Sequence, residues 1–142
     1  MSKRYISVAL REQVMQDSRG RCGYCLSSQR FTGTNLVPDH LVPEAKGGLT
    51  IRKNLWMACR RCNEHKQSRS HAFDPVTRKS VPLFNPRFQL WALHFVWSQD
   101  GTRIIGTTAI GRATVDALNM NDETIVTTRA YWVGVGWHPP KD

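Results

Sequence analysis

The feature that most constrains this 142-residue chain is the placement of its four cysteines, which form two Cys-x-x-Cys pairs, Cys22/Cys25 and Cys59/Cys62. One such pair delivers two thiolates from a single tight turn. Two pairs supply the four corners of the tetrahedron that Zn²⁺ prefers and leave no open position for chemistry. Two disulfides would need an oxidising compartment. The opening Met1-Ser2-Lys3-Arg4 has no apolar leader core, so the sequence instead predicts a cytoplasmic protein. A thioredoxin-like role calls for one Cys-x-x-Cys beside a βαβ pattern, not two matched pairs. The spacing therefore predicts a structural zinc site on Cys22, Cys25, Cys59 and Cys62 that uses every thiol.

Between the pairs lie Asp39-His40-Leu41-Val42-Pro43, Gly47-Gly48 and Asn54-Leu55, and the second pair runs into Asn63-Glu64-His65-Lys66. Pro38 and Pro43 forbid a helix, so residues 36–42 read as extended, with Asp39 and His40 near the strand end. Adjacent strand residues point to opposite faces, so these two share a site only if the chain bends there. A helix is predicted over 7–18, capped by Ser7 and ended at Gly20, and another over about 60–69. Residues 26–36 read as loop. Taken singly, Asp39 reads as a turn former, and Asn54 and Asn63 as caps.

Charge locates a partner. The net charge is +9, and residues 1–79 hold 15 Lys/Arg against 6 Asp/Glu, whereas residues 80–142 hold 5 against 5. All the excess lies in the half with the cysteines, which points to a polyanion such as a nucleic acid. Arg60, Arg61, Lys66 and Arg69 follow the second pair and are the candidate phosphate contacts, although each also fits a solvated helix face. No apolar run approaches membrane-spanning length, so no membrane partner is expected.

The second half reads differently. Residues 80–92 carry two prolines and are expected to pass over the surface. A β-hairpin is predicted from His94–Ser98 and Thr102–Gly106 around Asp100-Gly101. Helices follow over about 109–118 and 122–134, the last burying Ile125, Val126, Ala130 and Val133. The expected organisation is a 1–79 lobe with the metal site and an 80–142 β-hairpin and helical extension packed on it. The tryptophans read mostly as core, and His71, His94 and His138 as structural or exposed.

The run Cys22-x-x-Cys25, Asp39-His40-x-x-Pro43, Gly47-Gly48, Asn54-Leu55, Cys59-x-x-Cys62-Asn63-x-x-Lys66 resembles the HNH endonucleases, of the zinc-stapled kind. That resemblance implies an α+β protein with a ββα-metal (His-Me finger) core. It also implies metal-dependent hydrolysis of phosphodiester bonds in DNA. His40 would be the general base, Asn54 would orient the base-bearing loop, and Asp39 and Asn63 would hold a catalytic cation. Many relatives have His where Asn63 stands, so the pattern is H-N-N, and His65 is a candidate substitute ligand. Oxygen donors such as Asp39 and Asn63 suit Mg²⁺ or Mn²⁺. An imidazole near neutrality suits proton abstraction. Residues 83–140 are similar to the tail of small stand-alone bacterial HNH proteins. The alternative reading is a non-catalytic, zinc-containing nucleic-acid-binding protein. The neutral tail is expected to serve packing or a homodimer.

Overall fold

The computed structural model describes residues 5–141. Met1–Arg4, including the opening read above for a leader, and Asp142 lie outside the described residues. The chain divides into two compact units, Met1–Ser70 with Asn85–Arg87, and His71–Phe84 with Phe88–Asp142. The boundary therefore falls at 70/71, earlier than the expected 79/80, and residues 85–87 return to the first unit.

In the first unit, α1 (Val8–Ser18) starts where the Ser7 hydroxyl accepts a hydrogen bond from the Leu10 amide, and it ends on Arg19 in the left-handed region at φ 57°. It buries Val14 and Ser18. A four-residue helix α2 (Gln29–Thr32), capped by Ser28, stands in the stretch expected to be loop. Four residues are too few to show a helical period. Strands β1 (Val37–His40) and β2 (Leu55–Ala58) pair antiparallel, with Asp39 opposite Trp56 and His40 opposite Leu55. The helix α3 (Arg60–Lys66) follows at once, shorter than expected.

The second unit begins with β3 (His71–Phe73) and β4 (Ser80–Pro82), an antiparallel pair not expected from the sequence. Its strands are three residues long and mostly exposed, so no alternation marks them. Asp74 organises the turn between them, accepting from the Val76 and Thr77 amides and the Thr77 hydroxyl. Leu83 and Phe84 are buried, which corrects the expectation that residues 80–92 pass over the surface.

The predicted hairpin is present as β5 (Phe95–Trp97) and β6 (Ile104–Gly106), with Asp100 accepting from Ser98 and Thr102 at its turn. Helix α4 (Ala109–Ala117) is capped by Thr108, and its Gly111 lies against the His94 carbonyl, where an added Cβ would sit 2.0 Å from the oxygen. Helix α5 (Glu123–Gly134) buries Ile125, Arg129 and Trp132 in place of the expected Val126, Ala130 and Val133. Arg129 reaches inward because carbonyls wait there. It donates to the Thr102 and Met120 oxygens at 2.9 and 2.7 Å, and its guanidinium lies 5.4 Å over the Trp97 ring. His94 bonds the Thr108 hydroxyl at 2.7 Å, and His138 is buried edge-on to Trp97.

Candidate functional site

The first element of the site is the cysteine clamp. All four thiols are free, and their sulfurs lie within 4.8 Å of one another. Cys25 and Cys59 are 3.7 Å apart, far beyond an S–S bond. Zinc–sulfur bonds of about 2.3 Å in a tetrahedron place sulfurs about 3.8 Å apart, so the tetrad has the size of a zinc cage. Each turn aims an amide at its leading sulfur, Tyr24 N–H at Cys22 and Cys62 N–H at Cys59, both at 3.4 Å. Burial pushes the Cys22 thiol well up, whereas hydrogen bonds from the neighbouring thiols pull Cys25 well down. Four such thiols can hold zinc.

The second element is a network rooted in that clamp. Tyr24, between the first two cysteines and fully buried, donates its hydroxyl to Asp39 Oδ2 at 2.7 Å. Burial and the neighbouring Asp39 charge push the phenol well above its ordinary value, so it remains a donor. The other carboxylate oxygen accepts from Lys66 Nζ at 3.1 Å, and the same ammonium donates to the His40 carbonyl at 3.0 Å. Asp39 is 5% exposed and Lys66 2%. Burial pushes the Asp39 carboxyl up, against the pull of Lys66 and Tyr24. Further hydrogen bonds, from Tyr24 to the carboxylate and from the ammonium to the His40 carbonyl, offset part of the cost of burying this pair.

The third element is the loop from Leu41 to Asn54. The Asn54 carboxamide accepts from Val42 N–H at 2.8 Å and donates to the Val42 and Leu49 carbonyls at 3.0 and 2.9 Å. Gly48 is required where the loop closes, since a Cβ there would lie 1.7 Å from the Val42 oxygen. His40 ends β1 with its side chain 17% exposed, and its Nε2 lies 2.9 Å from Thr50 Oγ1 and 3.9 Å from Glu44 Oε1.

Asp39, His40, Glu44 and Asn63 all line one open cleft of about 280 Å³, together with Gln67 and Ser68. Asp39 and His40 are consecutive in the paired part of β1, and both line the cleft. His65 does not line this cleft, because two residues turn a helix by about 200° away from Asn63. The expected phosphate contacts separate in the same way. Arg60 is exposed and Arg61 half-buried. Lys66 is corrected from a surface cation to a buried partner of Asp39. Arg69 donates to the Lys66 and His65 carbonyls, capping the end of α3. Tyr24, Thr50 and Glu44 are the site residues that sequence reasoning missed. Tyr24 lies inside a recognisable metal turn, and that was the available signal.

A family model described as HNH endonuclease matches residues 22–77. The match makes this segment similar to that family. The matched HNH segment spans both cysteine pairs, the cleft and α3. No curated protein and no solved structure shows a significant match to the chain. No helix among the described residues is long and apolar enough to cross a membrane.

Proposed function

We propose that the protein is a metal-dependent HNH endonuclease that hydrolyses phosphodiester bonds in DNA, built on a ββα-metal core formed by β1, β2 and α3. The observation that carries this reading is the convergence of Asp39, His40 and Asn63 on one open cleft within the HNH segment. Zinc on Cys22, Cys25, Cys59 and Cys62 is structural. It fixes the start of α3, and so Asn63, against the strand that bears Asp39. In the cleft, the oxygens of Asp39 and Asn63 are the hard donors that would hold Mg²⁺ or Mn²⁺. When bound, such a cation neutralises charge developing on the phosphate oxygens.

The remaining work falls to the chain itself. His40 takes the proton from the attacking water. Asn54 holds the loop that frames the His40 ring. Lys66 sets the direction of the Asp39 carboxylate by gripping one of its oxygens. Arg60, exposed beside the clamp, meets the DNA backbone, with Arg61 next to it. One observation favours a zinc-stapled binder without chemistry, namely that Tyr24 and Lys66 already engage both Asp39 oxygens.

The deciding assay is nicking of supercoiled plasmid by the zinc-loaded protein with Mg²⁺ or Mn²⁺. Wild type should cleave, and His40→Ala should be about 10²–10⁴-fold slower with unchanged zinc content. Wild-type protein that binds DNA but cleaves with neither cation would establish the binder. Equal cleavage by His40→Ala would remove His40 from the chemistry.

A further inference from the structure

A neutral imidazole carries its proton on one ring nitrogen, and the other is then the only one able to accept a proton from water. On His40 the surroundings of Nε2 make that choice. Thr50 Oγ1 lies 2.9 Å from it, and a hydroxyl can donate or accept. Glu44 Oε1 lies 3.9 Å from the same nitrogen, and an ionised carboxylate only accepts. When Nε2–H donates to the Thr50 oxygen, the nitrogen nearest the Glu44 carboxylate carries a hydrogen rather than a lone pair. With the proton on Nδ1 instead, an Nε2 lone pair would face the carboxylate. The two partners arrive from opposite sides of the loop that Asn54 closes, Glu44 just after Val42 and Thr50 just after Leu49.

We propose that Thr50, backed by Glu44, is a positioning residue that holds His40 as the Nε2–H tautomer and leaves Nδ1 as the nitrogen that receives the proton from water. Thr50 touches neither water nor phosphate in this scheme and acts through the ring. The inference concerns the tautomer, and only its effect on cleavage rests on the nuclease reading above.

The test is a long-range ¹H–¹⁵N correlation spectrum of the ¹⁵N-labelled, zinc-loaded full chain with the His40 ring neutral, assigned by comparison with His40→Ala. His40 should show a protonated Nε2 and an unprotonated Nδ1. Thr50→Val, which keeps the side-chain shape and removes the hydroxyl, should give a mixture of tautomers. The same variant should nick plasmid roughly 10–10²-fold more slowly at unchanged DNA affinity, and Thr50→Ser should restore both readouts. A wild-type ring protonated on Nδ1 overturns the proposal, as does an unchanged tautomer in a folded Thr50→Val protein. The wild-type spectrum decides the matter even if Thr50→Val does not fold. A protein that shows the Nε2–H ring and its loss in Thr50→Val, yet never cleaves, refutes the nuclease reading and upholds the role of Thr50.

Discussion

The two units of this chain solve the same difficulty by opposite means. Each is too small to rely on a large apolar core alone. The first is held by a thiol clamp and by buried polar groups satisfied one against another, Tyr24 with Asp39 and Asp39 with Lys66. The second relies on ring packing. Phe95 lies 5.0 Å from both Phe84 and Trp91, Trp91 lies 5.4 Å from Trp97, and Trp97 lies 4.3 Å from His138. Every candidate site residue lies in the first unit, as does all the excess positive charge, with 14 Lys/Arg against 5 Asp/Glu there and 6 against 6 in the second. A unit whose four clustered thiols can hold zinc is able to use its other side chains for polar networks and an open cleft, because its shape need not depend on filling its interior with rings.

That contrast can be broken most severely by removing the metal. Chelation, or Cys59→Ser, should unfold the first unit while the second keeps its near-ultraviolet tryptophan signal. Zinc binding in such small sites supplies about 10–16 kcal/mol, more than the net stability of a domain of this size. Loss of both units together, followed by amide exchange residue by residue, would show that they share one cooperative transition.

A reciprocal lesion sharpens the comparison at smaller scale. Phe95→Ala in the second unit should cost about 3–5 kcal/mol and leave the zinc content unaltered. A melt that also releases zinc would tie the rings to the clamp.

Acid should give the smallest and most graded effect. Asp74 is held well below its ordinary carboxyl value, first by Arg112, which pairs with it through two bonds of 2.9 Å, and then by the Thr77 and Val76 donors. A carboxyl lowered in the folded state contributes stability above its unfolded pKa of 3.8 and loses it as the pH falls below that value. The first unit should release zinc at higher pH, when its thiolates protonate. The second unit should persist to below pH 3.8, and Asp74→Asn should bring its acid transition closer to that of the first. Circular dichroism with a zinc-release dye gives the order, and the reverse order would refute the assignment.

What was legible in the sequence follows from range. Cys-x-x-Cys, Asp100-Gly101 and the Ser7 cap are local signals, readable because the chemistry lies within a few residues. Asp39, His40 and Asn63 were legible as a set because their order matches a known pattern, and the folded chain brings them to one cleft. Lys66 and Arg129 were not. A cation in a polar helix reads as solvated, and only partners 27 residues away, as with Asp39 and Thr102, turn it inward. The pairing of Thr50 with His40 was hidden for the same reason, since an isolated threonine carries no signal until the loop closes over Asn54.

The position of Tyr24 carries one more consequence. It is a spacer residue between two clustered cysteines, where most side chains would serve equally well, yet its hydroxyl grips a buried carboxylate of the cleft lining. The clamp is therefore not an interchangeable fastener. A descendant that exchanged the thiols for a disulfide or a wider apolar core would keep its outline and lose the seat from which that hydroxyl reaches. Staple and cleft are bound to be inherited together, and drift in the spacer is limited by a group that binds no metal at all.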